Sequence, residues 1–165
     1  MTTQLTTSTY VNRVYIKADR DRVWAAITDP EFNRQYGYQC PGEFSALEPG
    51  GKYAAAPNDA MRGHGAPDVI IDGEIVEIDP PSKLVQTWRA LFDPASAAEP
   101  MTRLTWELVE ETPGLTILTV THELDGAPVS AAQVRGDRPD AGGGWPFILS
   151  DLKSYLETGK SMTES

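Results

Sequence analysis

The chain has 165 residues, and 24 Asp and Glu against 14 Lys and Arg leave a formal net charge of −10. That length suits one domain able to bury about 70% of the surface its unfolded form exposes, so no metal or disulfide staple is needed. The acidic balance excludes sequence-independent binding to phosphate backbones and disfavours an anionic membrane surface. A single cysteine, Cys40, has no intramolecular disulfide partner, which suits a reducing cytoplasm. The opening residues lack a signal-peptide pattern, and no window reaches about 18 apolar residues, the length a membrane span requires. The expectation is a cytoplasmic single domain over residues 10–160, with a disordered arm at 1–9 and a short tail at 161–165.

From Tyr10 to Lys17 apolar and polar side chains alternate, which predicts a strand. Asp19 reads as the N-cap of a helix carrying Val23, Trp24 and Ile27 on one face, and Asp29-Pro30 ends it. Pro30 can open a second short helix, Glu31 to Tyr36. Strand signals then recur. Glu43 to Leu47 and Lys52 to Ala56 flank the turn Pro49-Gly50-Gly51, and 56–67 reads as a flexible loop. Val69 to Ile78 and Leu84 to Leu91 are the next strands, followed by a loop at 93–100. Thr102 to Val109 and Leu115 to Leu124 make a hairpin around Thr112-Pro113-Gly114. Residues 125–143 read as a long irregular stretch. Trp145, Ile148, Leu149, Leu152, Tyr155 and Leu156 then recur at helical spacing, and Gly159 suits a C′ stop.

This order predicts an α+β domain: a curved antiparallel sheet of about six to seven strands, two short helices after the first strand and one long C-terminal helix. A long antiparallel sheet twists, and one helix is too narrow to cover it, so large side chains, loops or a pocket must account for the remainder. Period-two alternation places Gln86 and Trp88 on one face, with Leu104 and Trp106, and with Val120 and His122, on the matching faces of the next strands. Two indoles, an amide and an imidazole then point to one interior, suited to an apolar or aromatic ligand. His122 is a hydrogen-bond anchor or general acid/base in one reading and a satisfied core histidine in the other.

Tyr36 and Tyr38, bracketing Gly37 ahead of Cys40, form either a lid over the cavity or an aromatic corner. Trp145 would lie at the pocket mouth at the start of the last helix, one turn before Leu149. Cys40 has no basic neighbour or positioned histidine, so it is not read as a nucleophile. His64 belongs to a solvated loop, and two histidines and one cysteine far apart give no metal spacing. Gly142-Gly143-Gly144 lacks the Lys-Ser/Thr of a phosphate loop and reads as a hinge for the last helix.

Several segments carry a resemblance: Ala25-Ala26-Ile27-Thr28-Asp29-Pro30, Glu48-Pro49-Gly50-Gly51-Lys52-Tyr53, Gly73 to Pro81, Leu84-Val85-Gln86-Thr87-Trp88, Thr119-Val120-Thr121-His122-Glu123 and Gly144 to Lys153. In this order they resemble the START-like, or SRPBCC, helix-grip superfamily, and within it the heat-shock-protein-90 ATPase activator homologue family. The resemblance implies a sheet gripping the C-terminal helix around a cavity that in relatives holds lipids, hormones or polyketide intermediates. The leading functional expectation is a non-catalytic binder of a small apolar or aromatic molecule, without a cofactor. The ligand-binding set is Trp88, Trp106, His122, Gln86, Tyr36, Tyr38, Trp145 and Leu149. Two rivals are a cyclase-, dehydratase- or hydrolase-like enzyme using His122, and a protein that touches the chaperone machinery. The co-chaperones that name the family use a larger N-terminal domain for that contact, and this chain leaves no room for it. An exposed sheet edge also offers a homodimer contact.

Overall fold

The computed structural model describes residues 8–138 and 142–163. Strand β1 (Thr9–Ile16) leads to helix α1 (Arg20–Thr28), whose N-cap Asp19 accepts from the Arg22 amide. Asp29 ends α1 and caps α2 (Pro30–Asn33), where Pro30 occupies the first turn. Strands β2 (Gly42–Phe44) and β3 (Lys52–Ala55) form a hairpin, and a helical turn α3 (Asp59–Gly63) follows. The remaining elements are β4 (Ile71–Asp79), β5 (Lys83–Ala90), α4 (Pro94–Ala97), β6 (Thr102–Thr112), β7 (Leu115–Glu123), α5 (Pro128–Arg135) and α6 (Gly144–Thr158).

All seven strands join one antiparallel sheet in the order β1-β7-β6-β5-β4-β3-β2. The first strand therefore pairs with the last, and the sheet runs outward from that seam to β2. Register breaks between Ile75 and Glu77 on β4, and between Val109 and Thr112 on β6, are bulges that raise the local twist. Helix α6 buries Trp145, Leu149, Leu152 and Leu156 and packs against β1 and α5. It thus grips one side of the concave face. Leu84, Leu104, Leu108, Leu118 and Val120 from the central strands complete the core beneath it.

The sequence reading is corrected in several places. The loop at 56–67 contains α3, capped by Asn58, and the loop at 93–100 contains α4, capped by Asp93. In both, an Asn or Asp side chain satisfies the first amides of a turn too short to show periodicity. The stretch 125–143 is not irregular throughout: Pro128 opens α5 and Gly136, at φ 80°, closes it. Its carbonyl-poor start is served from outside, because the Glu99 carboxylate accepts from the amides of Val129 and Ser130. The second helix stops at Asn33 rather than Tyr36, and β2 is shorter than Glu43 to Leu47.

Of the expected arm, residues 1–7 lie outside the described residues, while Thr9 already begins β1. The expected tail is docked at its start: Ser161 Oγ and the Met162 amide both donate to Asp151. Residues 164–165 and 139–141, the latter in the stretch read as irregular, also lie outside the described residues.

Candidate functional site

Because α6 covers only the β1 side, the concave face toward β2 encloses a cavity of about 540 Å³. The sheet supplies Phe44, Tyr53, Gln86, Trp88, Leu104 and Trp106 to its walls. The segment after α2 adds Tyr36, Tyr38 and Cys40, while α5 and α6 add Gln133, Val134, Trp145 and Ile148. Most of this surface is aromatic or aliphatic, as a site for an apolar molecule should be.

The aromatic walls are braced against one another. Trp106 and Trp145 meet edge to face at 5.3 Å, and Trp88 meets the His122 ring likewise at 4.8 Å. The Trp145 Nε1–H donates to His122 Nδ1 (3.1 Å), and Thr102 Oγ1 lies 2.8 Å from His122 Nε2. Since the Thr102 hydroxyl donates its own proton to the Trp88 carbonyl (2.8 Å), it receives the Nε2–H of the imidazole. His122 is thereby fixed as the neutral Nε2–H tautomer, 0% exposed, and burial pushes its pKa down to about 3.

The structure thus brings Trp88, Trp106, Gln86, Tyr36, Tyr38 and Trp145 to the cavity. His122 and Leu149 are not among its lining residues. His122 stands behind the indoles and holds them, with both ring nitrogens engaged, and Leu149 is buried in the core. Strand alternation found the correct face of β7 but could not show that Trp88 and Trp145 stand between His122 and the cavity.

Tyr36, Gly37 and Tyr38 form a pinned corner. The Tyr36 hydroxyl donates to the Ala26 carbonyl (2.8 Å), the Gly37 amide to Asp151 Oδ2 (2.8 Å), and the Tyr38 hydroxyl accepts from the Gly144 amide (3.1 Å). Burial pushes the phenols of Tyr36 and Tyr53 well above their ordinary range, so both are neutral. Burial also raises the Cys40 thiol, which sits 3.6 Å from Met61 Sδ and stays protonated. His64 is exposed at the end of α3, away from the cavity lining. Gly144, at φ 63°, brings the start of α6 against α5, where a Cβ would lie 2.3 Å from the Val134 carbonyl oxygen.

Charge is scarce at this site. Arg138 is the one cation among the described lining residues, and it is ion-paired with Asp93 at 3.4 Å. Two polar atoms on lining residues are buried without a hydrogen-bond partner, Gln86 Nε2 and Gln133 Oε1. Sequence reasoning missed Gln133, Asp93 and Arg138 because it did not recognise α4 and α5. The run Ser130-Ala131-Ala132-Gln133-Val134 between Pro128 and Gly136 was the available helix signal. Among the described residues no three His, Cys, Asp or Glu side chains are grouped as metal ligands, and no helix is long and apolar enough to cross a membrane.

Comparison with known proteins agrees with this architecture. A family model, activator of Hsp90 ATPase homolog 1-like protein, matches residues 17–157. No curated protein sequence gives a significant match. Among solved structures, CalU16 from Micromonospora echinospora is similar over 92% of this chain and 77% of its own, with TM-score 0.62 and 22% identity. DynU16, of the dynemicin biosynthetic locus, is similar over 93% of this chain and 49% of its own, with TM-score 0.66 and 28% identity. An HSP90 activator from Plasmodium falciparum is similar over 90% of this chain and 96% of its own, with TM-score 0.61 and 19% identity. With the helix-grip sheet, the gripped α6 and a model match over most of its length, the chain belongs to the activator of Hsp90 ATPase homolog 1-like family.

Proposed function

We propose that this protein binds a small hydrophobic or aromatic molecule in the cavity between the sheet and α6, without transforming it. The observation that carries this reading is the 540 Å³ space walled by Trp88, Trp106, Trp145 and three tyrosines. Its volume falls within the range of about 300–1,000 Å³ usual for small-molecule sites. Its rings are held by contacts with one another and with His122, so they need not reorganise to receive a planar guest. The similarity to DynU16, from a biosynthetic locus, also favours a small organic ligand. An enzymatic reading through His122 has less support, because Trp145 and Thr102 occupy both imidazole nitrogens.

A thermal-shift screen of aromatic ketones, flavonoids, polycyclic phenols and fatty acids tests the reading, with native mass spectrometry of the purified protein beside it. A ligand at a hundredfold excess over its Kd adds about 2.7 kcal/mol of apparent stability. For a chain of this length that raises Tm by about 5–10 °C. A blank screen with no co-purifying molecule would overturn it. The rival reading, contact with a chaperone, draws on the family description and on the Plasmodium activator. It predicts co-purification with the chaperone that survives when the cavity is blocked by a Leu104→Trp substitution.

A further inference from the structure

Beside the cavity, the Gln86 amide is a buried donor with a fixed direction and no partner. This residue sits in the middle of β5, 2% exposed, with Ile75 and Leu104 as its neighbours on the adjoining strands. An amide side chain can ordinarily be turned either way, since its oxygen and nitrogen have the same shape. Here Trp106 removes the choice. An indole N–H only donates, and Trp106 Nε1 lies 3.2 Å from the Gln86 amide as its donor, so the group facing it is Oε1. The Gln86 NH₂ is therefore committed to the other direction, and Nε2 has no partner. A buried donor left unmatched is costly, and native proteins carry few of them. Of the buried orphan atoms in the described residues, two of three (Gln86 Nε2 and Gln133 Oε1, but not Ser96 Oγ) belong to residues that line this cavity.

We propose that Gln86 is the specificity-determining residue of the cavity and reads a carbonyl oxygen on a neutral aromatic ligand, such as a ring ketone or quinone. This rests on the ligand-binding reading above. A carbonyl supplies an acceptor and needs no acceptor in return, which matches a wall whose fixed orphan group is a donor. A carboxylate fits poorly, because Arg138 is already paired with Asp93 and the rest of the lining carries no cation among the described residues. A pure hydrocarbon fits the aromatic walls but leaves Gln86 Nε2 unmatched. The amide therefore discriminates between guests of the same shape, by the presence or absence of one oxygen.

The test uses the matched pair 9-fluorenone and fluorene, which differ by C=O against CH₂. Titration of the whole protein by tryptophan fluorescence gives both Kd values. Gln86 reading the oxygen predicts that wild type binds fluorenone at least about tenfold more tightly, the effect of one net hydrogen bond. In Gln86→Met that preference collapses to within about twofold. Independently of any variant, the Gln86 side-chain NH₂ resonances in wild type shift on adding fluorenone and not on adding fluorene. Equal wild-type affinities, or unmoved Gln86 resonances with fluorenone bound, overturn the carbonyl reading and leave the cavity reading standing. Binding of neither probe overturns both.

Discussion

His122 gives the sharpest physical prediction, because its environment is legible atom by atom. Protonation must occur at Nδ1, the nitrogen that accepts the Trp145 N–H, and would set two N–H groups against each other in a buried site. The native pKa is accordingly about 3, against an ordinary value of 6.5 in the unfolded chain. A depressed histidine pKa means that the unfolded state binds the proton first. The neutral imidazole thus contributes its full stability above pH 6.5, and that contribution drains away as pH falls toward 3. At pH 5 the linkage integral gives a loss of about 2 kcal/mol, and any native pKa below about 4 gives the same figure. For a chain of this length that is a fall in Tm of about 4–8 °C. Urea unfolding of wild type and His122→Phe at pH 7 and pH 5 isolates the effect. His64 is common to both proteins and cancels. The variant has lower absolute stability, since Trp145 loses its acceptor, but its pH slope should be flatter by about 2 kcal/mol over this interval. Parallel losses in the two proteins, or an imidazole seen by NMR to titrate near its ordinary value, would refute the assigned tautomer and burial.

Two further substitutions test how the cavity is framed. Asp151 is 0% exposed and accepts from the Gly37 and Met162 amides and from Ser161 Oγ, so it joins the cavity corner, α6 and the C-terminal segment. Asp151→Ala strands these donors and should cost about 3 kcal/mol or more in urea unfolding, with faster hydrogen exchange at Gly37; a loss under about 1 kcal/mol would show that the carboxylate is dispensable. Gly144→Ala combines a left-handed φ of 63° with a Cβ 2.3 Å from the Val134 oxygen, whereas Gly114, at φ 81°, has open space around it. The first should cost at least about 2 kcal/mol and weaken ligand capture, the second only about 1 kcal/mol with capture intact, and equal effects would mean that α5 and α6 do not close the cavity as described.

The sheet was readable because its strands are long, alternate cleanly and are separated by Gly and Pro turns. The Thr112-Pro113-Gly114 hairpin follows from its turn residues between two alternating runs, and the Trp88/Trp106 face from period two. The short helices were not readable in the same way. Helices α3 and α4 span single turns, and α5 lacks a side-chain N-cap because Glu99, distant in sequence, serves it. At the site, alternation says which face a residue occupies but not its depth. Gln86 and His122 share a face type, yet Gln86 reaches the cavity and His122 is screened from it by Trp88 and Trp145. Depth depends on which rings stack in front, and only tertiary packing settles that.

The polar atoms around the cavity explain why it can be selective and still mostly apolar. Several donors at or behind the wall are consumed within it: Trp145 on His122, Trp106 on Gln86 Oε1, and Thr102 on the Trp88 carbonyl. These bonds hold the rings upright, so the Trp106 and Trp145 indoles face a guest chiefly as apolar surface. The Gln86 NH₂ is buried without a partner, its direction set by the same Trp106 bond that engages its oxygen. Replacing Trp106 by Phe would keep the ring but free the Gln86 amide to turn. The carbonyl preference should then weaken even though Gln86 itself is untouched. An undiminished preference in that variant would mean that something other than Trp106 orients the amide.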